Sequence, residues 1–187
     1  MNQLKRIYQN YIKPFASRSW PQEGEDMILR RLFGNRNSGF YVDVGAHHPR
    51  RFSNTNYFYR RGWRGINIEP NPDGHALLKL FRRRDKNINC GVSDQEGTLP
   101  YYRFDEPALN TLDRDTAGRQ SKKYRLIDED RVRIARLENI LDDNMPADTV
   151  IDFINTDVEG HDLNVLKSID REKYRAEFVI AETIVMT

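Results

Sequence analysis

Short runs of β-branched and aromatic residues alternate along the chain with segments whose apolar residues recur every three or four positions. The runs are Phe40–Val44, Gly65–Pro70, Ile88–Ser93, Val150–Asp157 and Ala176–Thr183. Their length and punctuation predict buried strands. Asn54–Arg61 reads as a helix that can turn Phe58 and Tyr59 inward, and Pro72–Arg84 as a helix with Ala76, Leu77, Leu80 and Phe81 on one stripe. Upstream, "SWPQEGEDMILRRLFG" predicts a helix with Ser19 and Gln22 at capping-box spacing and Gly34 as its stop. Strand and helix in alternation predict an α/β fold, with an open, mainly parallel sheet and helices on both faces.

The rhythm changes after residue 93. "DQEG" (Asp94–Gly97) marks a turn, and "TLPYYRF" beyond it predicts a local hairpin. From Asp113 to Asp130 the chain is charged and almost without apolar residues, so this stretch is expected to be disordered or a mobile loop. "RVRIARL" then resumes as a strand, and Glu138–Asp143 as a short helix. At the start, Leu4, Ile7, Tyr8, Tyr11 and Ile12 fall near helical spacing among Lys5, Arg6 and Lys13, until Pro14 ends the pattern. Such a helix either packs on its own domain or lies on a membrane surface or partner. The expected division is a helical extension over 1–17 and one domain over 18–187.

Composition narrows the class. The 187 residues fit one domain, and 30 basic against 28 acidic residues is too even to suggest nucleic acid. No apolar run approaches a membrane span, and no signal-peptide core is present at the N-terminus. The single cysteine, Cys90, excludes an internal disulfide and a multi-thiolate zinc site. It is expected to be a buried core residue. A cytoplasmic location is the expectation.

The chemistry is predicted at the strand tips, since an open parallel sheet binds ligands beyond its carboxyl ends. Those tips carry Asp43, Gly45, Ala46 and His47; Glu69 and Pro70; Ser93 and Asp94; Asp157, Glu159 and His161; and Glu182. Gly45 lets backbone approach a ligand closely, and Glu69, 24 residues further on, is placed to accept two ribose hydroxyls. The glycine-rich dinucleotide fingerprint is missing, because the run is Gly45-Ala46-His47-His48-Pro49-Arg50. Pro49 also disfavours helix at His48. A nucleoside ligand without pyrophosphate is therefore expected, of which S-adenosylmethionine is the common example. The triplet at the end of "FRRRDK" (Phe81–Lys86) reads as a solvated helix end.

"QEGED", "FYVDVGAHHP", "RGWRGINIEPNP", "PALNT" and "INTDVEGHDLNVLKS", in that order over residues 18–185, resemble the FkbM-type S-adenosylmethionine-dependent methyltransferases. The resemblance implies a class I methyltransferase, Rossmann-like fold and O-methylation of a sugar, glycan or small metabolite, often in bacterial polysaccharide modification. Carried over, Asp43, Gly45, Ala46 and His47 line the cofactor, Glu69 and Pro70 hold the ribose, Ser93 and Asp94 flank the adenine, and Asn54 and Thr55 reach the methionine end. In that fold two more strands follow the fifth, and the chain is expected to lack them. His161 is the expected base, Asp157 its orienter or a contact on the sulfonium side, and Glu159 an acceptor-binding group. The plainer reading of Glu159-Gly160-His161 is a helix cap. Some related O-methyltransferases use Mg²⁺, and Asp157 with Glu182 offers hard oxygen ligands, though two strand-tip carboxylates do not make a metal site. A non-enzymatic alternative stands beside this, a shortened cofactor-binding or interaction protein. A homo-oligomer would cover the edge of the fifth strand.

Overall fold

Residues with an apolar neighbour on both sides settle the centre of the molecule. A computed structural model describes residues 3–8 and 17–182. In chain order it begins with α1 (Gln3–Ile7), α2 (Glu25–Phe33), β1 (Phe40–Val44), α3 (Asn56–Arg60), β2 (Arg64–Ile68), α4 (Pro72–Phe81) and β3 (Lys86–Ile88). It continues with β4 (Gly91–Val92), β5 (Gly97–Phe104), a 3-10 turn at Pro107–Leu109, α5 (Arg114–Gln120) and β6 (Leu126–Ala135). The last elements are α6 (Leu137–Asn144), β7 (Phe153–Thr156), α7 (Asp162–Lys167) and β8 (Phe178–Ala181).

Five strands form one sheet in the order β3-β2-β1-β7-β8, every pair parallel. The centre strands are buried on both faces, which is why they read as continuous apolar runs. One face packs Val42, Val44, Ile66, Ile68 and Ile154 against Leu137, Ile140 and Leu141 of α6 and Val165 of α7. The other face is aromatic. Tyr41 and Phe153 meet Leu29 and Phe33 of α2, Phe58 of α3 and Trp63, with Phe58 and Trp63 rings 4.8 Å apart. The expected parallel α/β sheet with helices on both faces is what the chain forms.

Several local expectations are corrected. The run Ile88–Ser93 is two strands in two sheets, because β3 pairs with β2 while β4 pairs with β6. The local hairpin after β5 is reduced to one antiparallel bridge, Tyr102 with Thr111; the ladder partner of β5 is β6, some thirty residues further along, giving a second sheet β4-β6-β5. The 113–130 stretch is neither loop nor disorder. Asp113 Oδ1 accepts from the Thr116 N–H at 2.7 Å and starts α5, and Leu126–Asp130 is already paired with β5. Charged residues can hold a two-stranded ribbon when they pair across it, as Arg103 does with Asp128 and Asp130.

The helices also shift. α2 is capped by Gly24 in the left-handed conformation, while Ser19 Oγ donates to Asp26 Oδ1 at 2.6 Å instead of forming a capping box. Gly34 ends that helix as expected. On α4 the expected inward stripe faces solvent: Leu77, Leu80 and Phe81 are exposed, and the buried row is Gly74, Leu78 and Arg82. These lie four apart, so the inner row carries a glycine and an arginine that apolar periodicity cannot detect. Arg82 is therefore no solvated helix end. At the start of the chain, none of the described α1 side chains is buried. Tyr11, Ile12 and Pro14 lie outside the described residues, as does Thr183.

Candidate functional site

The strand order turns around between β1 and β7: β2 and β3 lie on one side of β1, β7 and β8 on the other. Crossovers leave in opposite directions there, so the loops after β1 and β7 part and leave a crevice. A solvent-connected cavity lies there, its empty space about 480 Å³ when the open solvent at its mouth is counted.

Gly45 sits at its floor with φ 77°. A Cβ there would overlap the Asp157 carbonyl oxygen, so the glycine is demanded first by the neighbouring backbone and only secondarily by a ligand. Ala46 is buried and donates to the Ile68 carbonyl at 3.2 Å. His47 lines the cavity, its N–H given to Glu69. Burial, then the positive charge of Arg51, brings its imidazole down to about 4.

Glu69 forms the wall at the β2 tip. Its Oε2 accepts from the His47 N–H at 2.7 Å and its Oε1 from the Asn71 N–H at 2.8 Å. Two backbone donors require two acceptor oxygens, so a glutamate fits where a glutamine would not. Burial pushes its carboxyl up to about 7, against the pull of those two donors. Pro70 lies beside it on the wall. The opposite wall comes from residues not predicted for the site: Tyr101 of β5, Ala108 in the 3-10 turn, and Asn110, Thr111 and Leu112 after it. The quoted motif "PALNT" covers most of them, and the bridge between Tyr102 and Thr111 sets β5, with Tyr101, beside them. Cys90 is buried, as expected, but it lies between strands on the cavity wall, its thiol pushed up to about 11 by burial.

Asp43, Asn54 and Thr55 form a buttress beneath the β1 loop. Thr55 Oγ1 donates to Asp43 Oδ2 at 2.6 Å and Asn155 Nδ2 to Asp43 Oδ1 at 2.8 Å, while Asn54 Nδ2 donates to Asn155 Oδ1 at 2.9 Å. Burial raises the Asp43 carboxyl, opposed by the bonds from Thr55 and Asn155. Asp43 and Asn54 reach a recess adjoining the cavity. Thr55 lies behind, where Arg82 also donates to it.

Ser93, Asp94 and His161 are brought together, but away from the cavity. His161 Nε2 is 3.1 Å from Ser93 Oγ, and Ser93 donates on to Asp94. None of the three is among the residues lining the cavity, whose wall at that point is Val92. His161 is the residue before α7, and its imidazole is lowered by burial.

Asp157 and Glu159 do line the cavity, and with Glu182 they form a cluster whose oxygens lie within 4.8 Å of one another. Loss of solvation, then repulsion from Glu182, raises Glu159 to about 7. The Asp157 carboxyl rises for the same two reasons, although its surface is open to solvent, because protein and acids surround it on most sides. Gln120 of α5 donates to Glu159 Oε2 at 3.0 Å. A second recess opens on this cluster, lined by Glu23, Glu25, Asp157, Glu159 and Glu182, and by no lysine, arginine or histidine among the described residues.

Fold and site together define a mixed α/β domain of methyltransferase-like plan, with a ligand cavity where the order of its parallel strands reverses. The family model "Methyltransferase FkbM domain" matches residues 43–184, and the chain belongs to that family. No curated protein and no solved structure matches it. No helix among the described residues is long and apolar enough to cross a membrane.

Proposed function

We propose that the chain is an S-adenosylmethionine-dependent O-methyltransferase acting on a hydroxyl of a sugar, glycan or small metabolite. The observation that carries this reading is Glu69, a buried carboxylate oriented by two backbone N–H groups at one end of a cavity whose other end carries Asp157 and Glu159. Glu69 keeps free lone pairs for two vicinal ribose hydroxyls. Val92, Tyr101 and Leu112 would hold the adenine, and Gly45 and Asp157 would face the sulfonium.

The acceptor enters from the acidic recess. The cofactor would supply a methyl group to the acceptor's hydroxyl oxygen by in-line displacement at carbon, and the carboxylate cluster would take the hydroxyl proton. Positioning supplies much of the rate, and a base within about 3 Å supplies more. Asp157 and Glu159 are better placed for that proton than His161, which faces Ser93. Five acids line the recess with no cationic side chain among the described residues, which disfavours phosphorylated acceptors and nucleic acid.

Calorimetry with S-adenosylhomocysteine, followed by a methyl-transfer screen against neutral sugars with mass detection, tests the reading. One equivalent bound and a product heavier by a methyl group support it. Binding without turnover on any hydroxyl leaves a cofactor-binding module, and no binding removes the proposal.

A further inference from the structure

A surface helix ordinarily turns polar residues to water, and α4 does not. Leu77, Leu80 and Phe81 on its outer face are 36%, 51% and 56% exposed. They stand three and four residues apart, so they are neighbours and form a single apolar patch. As the outside of one helix the patch is convex, and none of the three side chains lines a cavity described above. A small ligand or an extended peptide has no groove there to fill.

Charge around the patch is one-sided. Residues 56–88, which span α3, β2, α4 and β3, carry eight cations and three acids. Of the cations only Arg82 is buried; the other seven are exposed. Of the acids, Glu69 and Asp85 are buried and Asp73 pairs with Arg103. Lys79, Arg83 and Arg84, beside the patch, form no ion pair among the described residues. Arg83 donates to the Leu80 carbonyl at 3.0 Å, and Arg84 to the carbonyl of Tyr59, over whose ring it lies. The net charge of +2 is thus the sum of two unlike sides, this one basic and the recess at β7 and β8 acidic. Apolar side chains rimmed by unpaired cations match a bilayer with anionic headgroups, which offers hydrocarbon and phosphate at adjacent depths. A nucleic acid supplies the phosphate without the hydrocarbon.

We propose that this face docks on an anionic lipid bilayer, Leu77, Leu80 and Phe81 entering the boundary between headgroups and acyl chains while Lys79, Arg83 and Arg84 lie among the phosphates. The helix connects β2 to β3, at the edge of the sheet opposite β8. The acidic recess therefore stays clear of the like-charged surface. The docking does not depend on the methyltransferase reading.

The full chain is floated with vesicles of phosphatidylcholine alone, and with vesicles of equal parts phosphatidylcholine and phosphatidylglycerol, at about 0.1 M salt. Binding to the second and not the first is expected, weakening as salt rises. Leu80→Gln with Phe81→Gln should lower partitioning about tenfold or more, and so should Lys79→Glu with Arg83→Glu, each tenfold being about 1.4 kcal/mol. Lys167→Glu with Arg171→Glu makes the same charge change on exposed residues at the end of α7. That pair should alter partitioning less than about twofold, since charges far from the surface are screened. Thermal melts, read without any ligand, show which variants are folded. No binding to the anionic vesicles, or α4 variants that stay folded and bind as before, overturns the proposal. So does binding to a DNA duplex that survives both glutamine changes, which would make this a nucleic-acid surface.

Discussion

Glu69 shows how much one side chain fixes. Its carboxyl titrates near 7 because burial costs the anion more than two backbone donors return. The native state then binds more protons than the unfolded chain between the ordinary glutamate value and about 7. Stability should therefore fall as pH rises through that window and stay lower above it. Ligand affinity should run the other way. Ribose hydroxyls need the anion, so S-adenosylhomocysteine should bind more weakly as pH drops below 7. Glu69→Gln should cost roughly 1.5–3 kcal/mol of that affinity and flatten its pH dependence. Calorimetry at several pH values checks both, and a pH-independent affinity in the unmodified protein would remove Glu69 from the ribose. Gly45→Ala combines a left-handed φ with a clash against the Asp157 backbone, so a loss of at least about 2 kcal/mol is expected in denaturant melts. Both residues were legible in the sequence, because a strand end followed by glycine or acid needs no tertiary knowledge. His161 was placed by its neighbours in the motif. Its direction depends on how the start of α7 packs against β4, and that contact is not local.

At the scale of elements, α4 is the instructive case. Its inward row, Gly74, Leu78 and Arg82, ends in an arginine buried beneath the β1 loop. Arg82 Nε donates to the Pro49 carbonyl at 3.0 Å, and its Nη2 to Ser53 Oγ at 2.9 Å and Thr55 Oγ1 at 3.2 Å. Tyr41 and Asp85 complete the set: Nη1 donates to the Tyr41 hydroxyl at 3.0 Å, which donates to Asp85 at 2.6 Å. One guanidinium thus holds both arms of the loop that lines the site. Arg82→Met leaves Asp85 buried without its cation and should destabilise by about 3–5 kcal/mol. Arg82→Lys keeps the charge but loses the fork, so it should fold while amides 50–56 exchange faster. Unchanged exchange there would deny Arg82 that role. Leu80→Lys on the outer stripe should stay within about 0.5 kcal/mol, whereas Leu78→Ala should cost about 2–5 kcal/mol. Apolar periodicity alone reverses that order. The same blindness hid α5 and the first half of β6, whose stabilising partners are a cap, cross-strand ion pairs and Gln120 on Glu159 rather than an apolar face.

On the scale of the whole molecule, the sequence made the large parallel sheet readable because each of its strands is locally apolar and its helices locally periodic. The small sheet was not readable, since β5 finds β6 across an intervening helix and β4 leaves the run that holds β3. That second sheet matters for function. Tyr101 and the segment 107–112 wall the cavity against Glu69, Gly45 and Asp157 of the large sheet, so a bound cofactor would bridge the two. A ligand held by both parts stabilises the molecule in proportion to its occupancy, by about 2.7 kcal/mol at a hundredfold excess over Kd. For a domain of this length that raises Tm by roughly 5–10 °C. The protection should also be shared. Hydrogen exchange should slow in β5, β6 and 107–112 as much as in the β1 and β2 tips when S-adenosylhomocysteine is added, because neither wall can open without releasing the ligand. Slowing confined to the large sheet would mean that the small sheet is only a neighbour of the site. Slowing in both would make it half of the cofactor's enclosure, and would explain why a ribbon so rich in charge is kept folded against the core.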